Sequence, residues 1–223
     1  MKNLVLVFSL MFVTSAMYGQ SEKYVGAMEA NLAKGTYEAE PEELINVANA
    51  FERIAGAEPS EWLPSYYAAL MYMYIAQKSM QDADKLEMAV EKAWENIEKA
   101  VAISGENSEV LTLKAYVYLG YIWKNPMING AMYTGKAYTL LDKAMELDPE
   151  NPRPYYLKGQ NTFFTPSMWG GGADTAKPLL VKAQEKFEGY EKVSTISPDW
   201  GEGGNNFMLG KVGIEVAENP AQN

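Results

Sequence analysis

The chain has 223 residues, 19 basic and 29 acidic side chains, and neither a histidine nor a cysteine. That composition excludes disulfides, thiolate nucleophiles, zinc sites of the Cys/His type and Ser-His-Asp triads. A formal charge of −10 with only two arginines, Arg53 and Arg153, also argues against nucleic acid or an anionic membrane as partner.

The opening stretch, MKNLVLVFSLMFVTSAMYGQ, places Lys2 ahead of an apolar run from Leu4 to Val13. Small and polar residues follow at Thr14, Ser15, Ala16 and Gly19. This is the layout of a secretory signal peptide, and the run is shorter than the roughly 20 residues a membrane span needs. The expectation is a leader over 1–19 and one mature domain over 20–223, soluble, with no cysteine to carry a lipid. Export without cysteine suits a bacterial periplasmic or secreted protein.

Helical spacing dominates from there on. PEELINVANAFERIAG sets Leu44, Val47, Ala48, Phe51 and Ile54 on one stripe, with Pro41 and two glutamates suited to a first turn. SEWLPSYYAALMYMYIAQKS is apolar around much of its circumference and predicts a buried helix. ADKLEMAVEKAWENIEKAVAIS is amphipathic, with Leu86, Val90, Ala93, Ile97 and Ala100 facing inward. SEVLTLKAYVYLGYIWKN, GKAYTLLDKAMELDP and GADTAKPLLVKAQEKFEGYEKV continue the series, and NNFMLGKVGIEVAENP predicts a C-terminal capping helix. The predicted class is all-α, built from antiparallel helix pairs.

An internal repeat gives the pairs an order. KAVAISGENSEVLTLKA (99–115) lies over KAMELDPENPRPYYLKG (143–159) at an offset of 44 without a gap. Lys99/Lys143, Ala100/Ala144, Glu106/Glu150, Asn107/Asn151, Leu113/Leu157 and Lys114/Lys158 are identical. Ala137, Leu141, Ala144 and Pro149 repeat a small, large, small and proline pattern; Ala93, Ile97 and Ala100 carry it one unit earlier, and Ala176, Leu180 and Ala183 one unit later. In this the chain resembles tetratricopeptide repeats. The resemblance implies an α-solenoid of roughly four helix pairs, each repeat longer than the family's by about ten residues. Those additions (AQKSMQDADKLEM, KNPMINGAMYTG and the shorter TPSMWGGGADT) are expected as lengthened loops within the repeats.

Two clusters invite a chemical reading and fail it. GGGADTAK has neither the G-x-x-x-x-G-K-[ST] spacing nor a preceding strand, so it predicts a tight turn with Asp174 as helix cap, Pro178 near the first turn and Trp169 packed over the joint. The acidic groups around Pro41 and Pro149 sit at helix starts and lack a calcium-loop pattern. A carboxylate-based hydrolase is the remote alternative, without a motif behind it.

Fifteen Tyr, seven Phe and five Trp exceed what one core stripe absorbs. They either fill wide gaps between helices or line a groove. The tetratricopeptide resemblance implies that first helices line the concave face, and register carries that face onto Tyr66, Met73, Thr112, Tyr116, Arg153, Tyr156, Gln160 and Phe163. It implies an exported, non-catalytic scaffold that docks another envelope protein or peptide, needing no cofactor and no metal. The alternative is a periplasmic ligand-handling or transporter-accessory protein with an aromatic-lined pocket for a small ligand.

Overall fold

The computed structural model describes residues 21–214. The expected leader and the end of the expected capping helix lie outside them. Ser21 opens the first helix by accepting a hydrogen bond from the Tyr24 amide at 3.1 Å. The helices are α1 (Glu22–Leu32), α2 (Pro41–Ala57), α3 (Leu63–Lys78), α4 (Ala83–Ser104), α5 (Ser108–Lys124), α6 (Pro126–Leu147), α7 (Pro152–Phe164), α8 (Ala173–Glu188) and α9 (Glu202–Lys211). Among the described residues there is no strand, so the all-α class holds. Asp82, Asn107, Asn125 and Asn151 cap α4 to α7, each accepting from a backbone amide two or three residues on.

The helices pack as successive neighbours, α1 with α2, α3 with α4, α5 with α6 and α7 with α8. The 44-residue offset reappears as physical contacts. Lys114 pairs with Glu98 at 2.6 Å and lies 5.1 Å from the centre of the Trp94 ring. One unit later Lys158 pairs with Asp142 and lies 5.2 Å from the centre of the Tyr138 ring. Glu106 to Lys143 and Glu150 to Lys186 repeat a second pairing. α3 runs through the middle and is buried at every position from Leu63 to Ala76, as its all-round apolar character predicts.

Two expected loops are helices instead. KNPMINGAMYTG forms the first turns of α6, which begins one residue after Asn125 and runs for 22 residues. The second addition leaves only residues 79–82 outside helix and lengthens α4 to 22 residues. A good N-cap followed by proline, or by Ala-Asp, starts the next helix at once and leaves the extra residues nowhere to loop. Only TPSMWGGGADT remains a connection, with a short 3-10 turn at Ser167–Trp169. Its glycines do turn the chain, Gly170 at φ 83° and Gly172 at φ 100°. Gly172, not Asp174, holds the cap position of α8; Asp174 stands in the first turn, Pro178 lies inside the helix, and Trp169 is largely exposed.

After α8 the chain turns back. Residues 189–201 cross the face formed by α3, α5 and α7 before α9 packs on α8 and α7. This returning strap closes much of what a solenoid would leave as an open concave groove.

Candidate functional site

Where the strap stops short, a cavity of about 920 Å³ remains. Its walls come from the segment after α1 (Tyr37), from α3 (Tyr67, Leu70, Met71, Tyr74), from α5 (Tyr116) and from α7 (Tyr156, Gln160, Phe164). The C-terminal side supplies Phe187, Tyr190, Trp200, the start of α9, Phe207 and Met208. Ten aromatic residues line it, which answers where much of the aromatic surplus goes. Phe164 and Phe207 are 69% and 62% exposed, apolar rings that face water at its edge.

The rings hold each other in fixed geometry. Tyr116 stacks on Trp200 with centroids 5.9 Å apart and planes at 17°, and Tyr37 meets Tyr74 edge-on at 5.4 Å. The Tyr116 hydroxyl donates to Gln77 Oε1 at 2.7 Å, and Gln160 Nε2 donates to the Tyr156 hydroxyl at 3.0 Å. Burial pushes the phenols of Tyr67, Tyr74, Tyr116 and Tyr156 above their ordinary value, so these walls stay neutral. The start of α9 approaches closely because it is glycine: a Cβ on Gly204 would lie 2.3 Å from the Tyr156 hydroxyl.

Behind the cavity, a polar strut fastens the strap. Arg153, fully buried, pairs through Nη1 with Glu109 Oε1 at 2.9 Å and donates through Nη2 to the Pro198 carbonyl. Its guanidinium lies 4.5 Å from the Tyr190 ring centre. Tyr66 donates to Glu109 Oε2 at 2.9 Å and accepts from Trp200 Nε1 at 2.7 Å; Tyr67 donates to the Ile196 carbonyl at 2.9 Å. Burial raises the Glu109 carboxyl above its usual range against the opposing pull of Arg153. Burial also works against the charge on Arg153, but Glu109 and neighbouring tyrosines outweigh it and its pKa rises. Arg153 is therefore neither a solvated charge nor a hand held out to a ligand carboxylate; its carboxylate is internal.

The eight residues picked out by register divide sharply. Tyr116, Tyr156 and Gln160 line the cavity. Tyr66, Met73, Thr112 and Arg153 are sealed beneath the strap or between helices, and Phe163 packs half-buried against Phe164. Register missed Tyr37, Tyr74, Tyr190 and Trp200. Tyr37 and Tyr190 sit in irregular segments that no repeat alignment reaches, and Trp200 lies in SPDWGEGG, at the end of the irregular stretch between α8 and α9. Glu109 did leave a trace: it and Arg153 hold equivalent repeat positions with opposite charges.

The cavity's charged groups are few. Lys192 is tied to Asp199 at 2.6 Å, while Glu38 and Glu202 complete the set. Among the described residues, no group of three or more acidic side chains is gathered as a metal site. No helix among them is long and apolar enough to cross a membrane.

No protein-family model matches the chain, and no curated protein matches it. The fold is similar to that of a solved haemophore. The solved structure of the HusA haemophore from Porphyromonas gingivalis superposes with a TM-score of 0.76 at 27% sequence identity. The match covers 90% of this chain and 100% of HusA. Similarity to HusA thus extends over most of the chain.

Proposed function

We propose that this chain is a non-enzymatic, exported carrier that holds a flat, largely apolar macrocycle of the haem class in the aromatic cavity. The observation that carries the reading is a ring-lined cavity of about 920 Å³ in a chain similar to a haemophore along its length. The volume lies within the roughly 300–1,000 Å³ usual for small-molecule sites. Stacked pairs such as Tyr116 on Trp200 offer broad faces to a planar ligand.

The residues present fit such a cargo in a particular way. With no histidine or cysteine in the chain, an axial ligand to haem iron has to come from tyrosine, methionine or lysine. Met71 and Met208 line the cavity, and the buried tyrosines there are held as phenols. Ring contact and exclusion of water therefore do most of the holding, and the chain's own side chains need no bound metal to stay in place. The leader expected over 1–19 suits a carrier that works outside the cytoplasm.

The scaffold reading loses its docking face, since Tyr66, Met73, Thr112 and Arg153 are covered by the chain itself. A tetratricopeptide-like frame remains part of the proposal, supported by the 44-residue recurrence of the Lys–acid–ring contacts. The test is titration of the purified protein with haemin, followed by the haem absorbance band and by tryptophan quenching. Saturable binding is expected, weakened at least tenfold by Trp200→Ala combined with Tyr116→Ala. Absence of saturable binding by the wild type overturns the reading.

A further inference from the structure

One end of the cavity carries more hydrogen-bond donors than the protein uses. Tyr37, Tyr74, Tyr116 and Tyr156 reach it from four separate parts of the chain: the segment after α1, then α3, α5 and α7. Tyr37 and Tyr74 meet ring to ring at 5.4 Å, and Tyr116 and Tyr156 line the same cavity. Tyr116 spends its proton on Gln77 Oε1, which leaves the Gln77 Nε2 donors without a partner among the described residues. Tyr156 accepts from Gln160 and keeps its own proton uncommitted. Tyr74 is 92% buried by its 8% exposure, and its hydroxyl has no partner among the described residues. Tyr37 has ring contacts only, to Tyr74 and to Lys78, whose Nζ stands 4.8 Å from the ring centre.

Water reaches these donors through the open cavity, and a cargo that displaces it has to accept from them in its place or leave them unsatisfied at a cost. An aromatic or aliphatic group would leave them unsatisfied, whereas a carboxylate offers about four lone-pair sites and needs several donors once it leaves water. Of the cavity's acids, Asp199 is neutralised by Lys192 and Glu202 belongs to the C-terminal wall, while Glu38, next to Tyr37 and exposed to water, is the one whose charge reaches Tyr74. Lys78 supplies a cation just outside, behind Tyr37.

We propose that Tyr37, Tyr74 and Tyr156, with the Gln77 amide, form a carboxylate-binding end of the cavity, in which neutral phenol and amide donors hold an acidic side arm of the bound ring system. The proposal rests on the carrier reading and names which part of the cargo this end takes. It also explains why a pocket otherwise made of rings keeps hydroxyls where phenylalanine would pack equally well.

The experiment compares metal-free protoporphyrin IX, which carries two carboxylates, with its dimethyl ester, on the wild type and on Tyr74→Phe. The free acid is expected to bind about tenfold or more tightly than the ester, the range of a hydrogen bond to a charged group. Tyr74→Phe should lose about tenfold for the acid, leave the ester unchanged, and unfold at the same temperature or slightly higher, because the lost hydroxyl had no partner. Equal binding of acid and ester overturns this subsite while leaving the carrier intact. So does an equal loss of both ligands in Tyr74→Phe. Binding of neither ligand, nor of haemin, overturns the carrier and the subsite with it.

Discussion

Arg153 and Glu109 hold the same position in successive repeats, 44 residues apart, and they meet, Nη1 to Oε1 at 2.9 Å. The repeat thus places a buried cation against the carboxylate of the unit before it, and a second guanidinium nitrogen, Nη2, reaches across to the Pro198 carbonyl of the strap. One side chain couples the helix stack to the segment that walls the cavity.

Arg153→Ala is expected to destabilise the fold by about 3–5 kcal/mol, the usual effect of leaving a buried charge without its partner. Glu109 would remain behind with most of its side chain out of water. Replacing both, as in Arg153→Met with Glu109→Leu, should recover much of that loss, though not all, because Tyr66 and Asn151 then lose their Glu109 acceptor and the Pro198 carbonyl keeps only its Tyr190 donor. Urea unfolding of the three proteins measures it. A double variant no more stable than Arg153→Ala would place the effect in the strap contact and not in the ion pair.

The buried phenols predict a steep alkaline limit. Burial first, then neighbouring acids or phenols, raises Tyr24, Tyr66, Tyr67, Tyr74, Tyr116 and Tyr156 above the ordinary value of 10.0. An acid whose folded pKa is raised keeps its proton in the native state while the unfolded chain releases it. Above about pH 10 the native state therefore binds more protons than the unfolded state, and stability falls as pH rises. Phenolate absorbance should show exposed tyrosines titrating gradually, then several more ionising together with loss of helical circular dichroism. Smooth titration of every tyrosine with the helices intact would contradict that burial.

Local spacing reveals the helices and hides the closure. Leu44, Val47, Ala48 and Phe51 recur at helical intervals, and all four are buried. The same holds for Leu86, Val90, Ala93, Ile97 and Ala100 in α4. These positions depend on residues three or four away, so the pattern is written in the sequence. Residues 189–201 depend on partners more than a hundred positions upstream, such as Ile196 on Tyr67 and Trp200 on Tyr66. Nothing in SPDWGEGG itself says which surface it will cover, so repeat register alone leaves the concave face open. The cavity inherits the same limit: Tyr116, Tyr156 and Gln160 follow from repeat register, whereas Tyr37 and Tyr190 enter it from irregular chain.

Two neighbouring glycines of α9 should respond oppositely to the same change. A Cβ on Gly204 would press on the Tyr156 hydroxyl at 2.3 Å, while one on Gly203 meets nothing within 4 Å. Gly204→Ala is expected to push α9 off α7, lowering stability by about 1–3 kcal/mol and weakening haemin binding. Gly203→Ala should be neutral or stabilise by up to about 1 kcal/mol, since alanine restricts the unfolded chain. Thermal melts and haemin titrations of the two variants check the contrast, and equal effects would remove close approach as the reason for glycine at 204.

The register-derived residues should separate into those that carry stability and those that touch cargo. Tyr66 is fully buried outside the cavity, and its hydroxyl serves both Glu109 and the Trp200 indole. Tyr66→Phe leaves the Trp200 indole N–H and Glu109 Oε2 without this partner, while Glu109 Oε1 keeps Arg153 and Asn151, and is expected to lower stability by about 1–3 kcal/mol. Its effect on haemin should be no more than a fewfold, transmitted through the position of Trp200. Gln160 is half-buried, lines the cavity and steadies the Tyr156 hydroxyl at 3.0 Å. Gln160→Ala should therefore change the unfolding midpoint little and haemin affinity more than Tyr66→Phe does. The two measurements together decide it: if Gln160→Ala lowers stability and spares binding while Tyr66→Phe does the reverse, the bound molecule lies against the strut and not in the cavity beside it.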